Sequence, residues 1–457
     1  MKLNKLSVAC ALACATFAGQ SLALTPAQLS GSTEVFISGA SAQQLTLGHI
    51  SNNLFPVASE HVYFNDVGVI GTFEPGTDGR NYRAYTGTLS AALSPALPAG
   101  TKVVILNRAK GGSVWGVNPV ANAEKIESMV LDTSCVLSTS AAALAVHANG
   151  VYLCPNVIGS DTTTADPAGS RIPDAGVSDV EPALFVGINL ATGQTPLPAV
   201  TAGPTGGLDD LTVSSQNAVI FGIAATNNVT LPSLSRAQVT SMLTGSYLSW
   251  NQVDPALPAQ GVTVCRRVQG SGSQAAANAY FTQFPCSKGG LVPATNANND
   301  PVSGYTVVMN STSGDVAACL NTAQAAGKRA IGILATERQP SGTDGWHYVS
   351  IDGVNPVGAN PNLEVTATKG QYDWSVEQSM QWLNSVSGTK LDLLTKIRDL
   401  SGDPAFLATL PGVASLPTIA DPNADYTANP GVGYQEGAVM AGARFSNTCQ
   451  PTQLFNQ

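Results

Sequence analysis

Glu34-Val35-Phe36-Ile37-Ser38-Gly39-Ala40-Ser41-Ala42-Gln43 is an apolar run that ends in a turn of small residues. Val35, Phe36 and Ile37 suit a short buried strand. Leu45, Leu47 and Ile50 follow at helical spacing, to about Leu54. A strand feeding a helix through Gly, Ala and Ser is the repeating unit of an α/β fold. The first N–H groups of such a helix have no intrahelical acceptor and carry partial positive charge. A turn of small residues lets an oxyanion approach them.

The same unit returns further along. Val262-Thr263-Val264-Cys265-Arg266-Arg267 is strand-like, Gly270-Ser271-Gly272-Ser273 is a turn, and Gln274 to Phe284 is helical. Here the hydroxyls of Ser271 and Ser273 can donate as well. Arg266 or Arg267 can present a planar, bidentate fork; strand alternation alone leaves both open. Between the two units lie the strands Val62–Phe64 and Lys102–Leu106, the latter followed by Gly111-Gly112-Ser113. Ala218–Ala224 is a buried run, and Ser235-Arg236-Ala237-Gln238 fits a capping box. A helix over Val316–Ala326 and a strand over Ala330–Leu334 follow. Residues 161–170 and 192–208, rich in Thr, Pro, Gly and Ala, read as surface loops. Strands alternating with helices predict an α/β fold with a mostly parallel sheet.

Lys2 and Lys5 precede the apolar run Leu6–Phe17, and Ser21-Leu22-Ala23 closes it. This is a secretory leader over residues 1–23, cleaved after Ala23, and too short for the ~20 residues of a membrane span. Cys10 and Cys14 leave with it. No later run is long enough to span, so no membrane segment is expected in the mature chain. The remaining cysteines, Cys135, Cys154, Cys265, Cys286, Cys319 and Cys449, suit disulfides in an exported chain. About 15 pairings are open; joining neighbours in sequence gives Cys135–Cys154, Cys265–Cys286 and Cys319–Cys449. With no C-x-x-C spacing and no histidine at ligand spacing, neither a metal nor a cofactor is expected. The net charge is −9, and about −11 once the two leader lysines are gone. That disfavours nucleic acid, which needs a basic face. The sequence has no G-x-S-x-G elbow, Walker loop or H-E-x-x-H, and its four histidines are scattered.

Five pieces in order resemble the periplasmic solute-binding proteins of the phosphate-binding type. They are Ser38-Gly39-Ala40-Ser41-Ala42; Ser178-Asp179 with Pro182; Leu234-Ser235-Arg236 through Thr244-Gly245 to Trp250; Arg267 with Gly270-Ser271-Gly272-Ser273; and Ala330-Ile331-Gly332 with Ile351-Asp352-Gly353-Val354. The resemblance implies a type 2 periplasmic-binding-protein architecture: two lobes, each a mixed sheet flanked by helices, joined by two crossing strands. The crossings are expected near Ala218–Ala224 and Ile331–Ala335. Residues 24–217 then form lobe one, with an elaboration over 80–170; 218–335 form lobe two; and 336–457 return to lobe one.

The resemblance implies a site at Ser38, Gly39, Ala40, Ser41, Ala42, Gln43, Asp179, Arg267, Gly270, Ser271, Gly272 and Ser273. It selects Arg267 over Arg266 and gives Asp179 the proton of a protonated phosphate. It implies a monomeric, non-enzymatic protein, periplasmic or secreted, that holds phosphate or a related oxyanion for an inner-membrane ABC permease. A secreted phosphatase-like enzyme, or an extracellular protein that kept the fold without transport, are the alternatives. The chain departs from the family pattern at three places: Gln43-Gln44, Val69-Ile70 where serines are usual, and Gln269 where an aspartate braces the arginine. Gly111-Gly112-Ser113, or Ser311, Ser313 and Asp315, are the candidates to replace the lost hydroxyl.

Overall fold

Val35 and Ile37 of β1 (Thr33–Gly39) sit in one buried cluster and Phe36 in another. That is the alternation of a strand covered on both faces. The structure, a computed structural model, describes residues 24–65, 71–159, 170–201, 203–287, 291–357, 365–416 and 439–454. The expected leader, the Val69-Ile70 turn and nearly all of the 161–170 loop lie outside the described residues.

Beside β1 lie β2 (His61–Asn65), β3 (Tyr82–Thr88), β4 (Lys102–Arg108), β5 (Val136–Ser138), β6 (Val151–Cys154) and β7 (Ala175–Ser178). β8 (Leu211–Thr226), β9 (Thr263–Arg267), β10 (Thr306–Asn310), β11 (Ala330–Ala335), β12 (Trp346–Ile351) and β13 (Ser375–Leu383) follow. The principal helices are α1 (Gln44–Leu54), α2 (Gly272–Thr282), α3 (Ser313–Ala325) and α4 (Gly388–Ser401). Across the sheet the order is β10-β9-β11-β8-β13-β7-β1-β4-β3-β2-β6-β5, with β12 paired to β8. The pairing is mixed: β1 is parallel to β4 and β7, while β3 is antiparallel to β2 and β4.

β8 divides this sheet into two lobes. From Leu211 to Ile220 it pairs with β13, and from Phe221 to Ala225 with β11. In lobe one, Leu47, Ile50, Leu393 and Ile397 of α1 and α4 pack on Val35, Ile37, Val103 and Ile105. Each such buried side chain contributes ~1.5–3 kcal/mol. In lobe two, Val264 faces Ala275, Ala276 and Phe281 on the α2 side. Its neighbour Cys265 faces Val316 and Leu320 on the α3 side.

One expected boundary shifts. β11 does reach the junction, where the Thr336 N–H donates to the Ile220 carbonyl at 2.8 Å. β12, however, pairs with Ile223–Thr226 and so belongs with lobe two. The chain therefore returns after Ile351, not at Ala335. Its path passes Tyr372, whose hydroxyl donates to the Phe221 carbonyl at 2.7 Å. Within the expected elaboration over 80–170, β3 and β4 belong to the central sheet, β4 pairing directly with β1 and β3 with β4.

The disulfides are Cys135–Cys154, Cys265–Cys319 and Cys286–Cys449. The first is the neighbour pairing; the other two correct it. Strand alternation turns Cys265 toward α3, which carries Cys319, whereas Cys286 follows α2 on the other face. Bridges of this kind fit an extracytoplasmic, oxidising setting. Among the described residues, no helix is long and apolar enough to cross a membrane.

Candidate functional site

Three helix N-termini converge where the lobes meet. β1 ends at Gly39, whose φ is +129° and where a Cβ would stand 2.0 Å from the Val177 carbonyl oxygen of β7. Only glycine lets the strand end lie this close to its neighbour. The Ala40 N–H then donates to that same carbonyl at 2.9 Å, and a short turn over Ser41–Gln43 leads into α1. Thr312 caps α3 in a capping box with Asp315, which brings Ser313 to the helix start. Ser271 caps α2, its Oγ accepting from the Gln274 N–H at 3.4 Å.

Arg267, at the end of β9, joins two of these starts. Its Nη1 donates to Ser41 Oγ at 2.9 Å and to Ser313 Oγ at 3.2 Å, and its Nη2 donates to the Ser311 carbonyl at 2.8 Å. The two hydroxyls are themselves 3.2 Å apart, one from each lobe. Arg267 is 1% exposed. Burial pulls its pKa down to about 10, and the negative charges of Asp179 and Asp315 work against that shift. It stays charged at neutral pH.

Asp179 follows β7 and is also 1% exposed. Its Oδ2 accepts from Ser273 Oγ at 2.8 Å. Burial raises its pKa, while the Ser273 hydroxyl and the Arg267 charge hold the rise back. Ser113 knits this side together: its Oγ accepts from the Asp179 N–H at 3.2 Å and from the Gly272 N–H at 3.1 Å. Among the described residues, buried polar atoms here without a hydrogen-bond partner of ordinary geometry include Arg267 Nε, Asp179 Oδ1 and Ser38 Oγ. The Gln378 amide stands near enough to Asp179 to lower its pKa slightly, without closing such a bond.

Of the sequence-derived residues, Ser41, Asp179, Arg267, Gly272 and Ser273 meet directly. Gly270 sets the loop, its carbonyl accepting from the Val114 N–H at 2.9 Å. Ala40 and Ala42 pack in the core. Gln43 sits with Leu47, Val177 and Gln378 on the lobe-one side. Ser113 and Ser313, named from sequence only as substitutes, are central. The Arg80–Asp315 ion pair (2.8 Å) and the Thr46–Glu337 hydrogen bond (3.3 Å) also cross the cleft; of these four residues only Asp315 was a candidate from sequence. Two of the histidines are engaged elsewhere, His147 with Glu60 and His347 with Asn227.

Chemically, this is a buried cluster of hydroxyls, helix N-termini and one guanidinium, with the Asp179 carboxylate beside it. It combines many donors with a carboxylate acceptor, a set that suits a protonated oxyanion. The two lobes, the β8 crossing and the site at the helix N-termini define a type 2 periplasmic-binding-protein fold.

Comparison of the sequence with protein-family models and with curated proteins finds no match. Among solved structures, the chain is similar to a phosphate-bound protein assigned as a phosphate ABC transporter substrate-binding protein from Clostridium perfringens. The identity is 11% and the TM-score 0.42, over 83% of this chain and 99% of that one. A phosphate-binding protein from Stenotrophomonas maltophilia gives 12% identity and a TM-score of 0.38, over 80% and 90% of the two chains. PstS from Borrelia burgdorferi gives 10% and 0.34, over 83% and 99%.

Proposed function

We propose that this protein is an extracytoplasmic solute-binding protein that captures phosphate, or a closely similar oxyanion, between its lobes and passes it to an ABC permease. One observation carries the reading. Arg267 and Asp179, each 1% exposed, stand at the meeting of three helix N-termini with hydroxyls from both lobes. A phosphate replaces Ser41 and Ser313 as partner of the guanidinium. It takes donation from those hydroxyls and shares its own proton with Asp179 Oδ1. Sulfate brings no proton, so the carboxylate repels it. Charge-assisted bonds contribute roughly 1.5–3 kcal/mol each, and a micromolar constant needs about 8 kcal/mol net. Several such bonds reach that after the cost of lobe closure. The role is binding without covalent chemistry, in the periplasm or outside the cell.

The test is calorimetric titration of protein freed of ligand by unfolding and refolding. Phosphate and arsenate are expected to bind and sulfate not to. Arg267→Ala weakens phosphate by at least ~10-fold, the loss of one charge-assisted contact. Asp179→Asn narrows the gap between phosphate and sulfate, because an amide can donate to either. No heat from any of the three anions with refolded wild type overturns the reading.

A further inference from the structure

A second cavity, of about 490 Å³, lies at the other end of α2 from the anion cluster. Its wall runs from Ala279 and Tyr280 of α2, past Trp374 just before β13, to Arg444 near the C-terminus. Cys286 and Cys449, joined by a disulfide, complete that wall and hold the C-terminal segment against α2.

Arg236 and Arg444 line it together with the Asp373 carboxylate. Just outside the lining, Glu377 accepts from the Arg444 N–H and Asp352 from the Arg236 N–H. The Asp373 carboxylate accepts from the Tyr280 hydroxyl. The Asp373 carbonyl accepts from Arg444 Nη2 at 2.6 Å. Arg236 lies over the Tyr280 ring, 3.9 Å from its centroid, and Tyr280 stacks on Trp374. Among the described residues, two N–H groups of this lining find no acceptor, Trp374 Nε1 and Arg444 Nε. Their residues are 1% and 8% exposed. A buried donor left unpaired costs free energy, and an acceptor brought in by a ligand removes that cost. One side of the wall, with Ala279, Val376 and Met440, is apolar, while Gln283, Ser375, Thr448 and Thr452 make other parts of it polar.

We propose that this cavity is a second binding site, for a small organic anion with a carboxylate on an apolar or aromatic body. The carboxylate lies against Arg444 and Arg236 and supplies the missing acceptors; the body fills the Ala279–Met440 side. A bare inorganic oxyanion leaves that side unfilled, and pockets of roughly 300–1,000 Å³ take larger organic molecules. The site is independent of the oxyanion reading, since it shares no residue with the Arg267–Asp179 cluster.

Benzoate and octanoate are the probes, titrated into the full chain by calorimetry and by saturation-transfer NMR. At least one is expected to bind saturably with a dissociation constant of about 1 mM or tighter. Excess phosphate leaves that binding in place. Ala279→Trp, which fills the cavity, weakens it at least ~10-fold in protein whose melting curve stays cooperative, and Arg444→Met does the same. Three results each overturn the proposal: neither probe saturates, phosphate displaces the probe, or folded Ala279→Trp binds it as wild type does.

Discussion

Glu337 is a carboxylate held at the seam between the lobes. It is 9% exposed and accepts one hydrogen bond, from Thr46 at 3.3 Å. Burial raises its pKa to about 8; Arg338 opposes the rise and Asp179 adds to it. The unfolded value is near 4.5. The folded state therefore holds a proton that the unfolded state has released between those two values. The contribution is fully present below the unfolded pKa and is lost as pH rises to the folded one. The slope is at most ~1.4 kcal/mol per pH unit. Urea midpoints are expected to fall from about pH 5 to about pH 8, and Glu337→Gln flattens the curve. A variant with the same slope as wild type would contradict this. Gly272 gives a second prediction at this scale. A Cβ there would stand 2.2 Å from Ser113 Oγ and 2.9 Å from Asp179 Cβ. Ser113 can rotate away, but Asp179 Cβ is fixed by its backbone. Gly272→Ala is expected to hold the lobes apart, with a larger radius of gyration by X-ray scattering in the presence of phosphate. Wild-type scattering from the variant would show that the contact yields instead.

α2 is tied to lobe one at both ends. At its start Ser273 donates to Asp179. Past its end Cys286 is bonded to Cys449, whose neighbour Thr448 donates to Glu181 at 2.9 Å. The same C-terminal segment is fixed to lobe one by Arg444 and Ser446 on Glu377 and by Ser446 on Ser215. The Cys286–Cys449 bridge is thus a covalent link between the lobes. Replacing both cysteines by serine is expected to broaden interlobe distances measured between spin labels and to speed phosphate release. Unchanged distances would mean that the hydrogen bonds alone set the range. This strap was not legible in the sequence, whereas the ends of α1 and α2 were. A Gly/Ser turn between an apolar run and a helical one marks a strand–turn–helix unit, so the positions of the Ser41 and Ser273 loops at helix starts were legible. Cys449 lies 163 residues from Cys286, and no local pattern joins them. Ser113 was hard to weigh for a similar reason: its role comes from Gly272 across the cleft, not from its own neighbours.

At the scale of the whole molecule, charge opposes the oxyanion proposed as its ligand. Its net charge is −9, yet its oxyanion cluster is built from donors. The alternation of strands and helices made the α/β class legible. The β12 detour through lobe two was not, because Trp346–Ile351 reads as a strand whichever lobe it joins. Charge belongs to the same large scale, since it depends on every surface group and on no motif. A phosphate dianion approaching from solvent meets a repulsive far field, and the attraction of Arg267 is buried within it. Salt screens the first more than the second, because the Debye length is ~10 Å at 0.1 M and a desolvated pair is screened far less. Raising ionic strength from ~0.02 to ~0.2 M is therefore expected to leave the association rate constant unchanged or raise it by a few-fold, with the release rate nearly constant. Stopped-flow mixing followed by tryptophan fluorescence measures both. A steep fall in association with salt would instead reveal an attractive basic entrance, and the anion would then be steered in by surface charge rather than held only once the lobes meet around it.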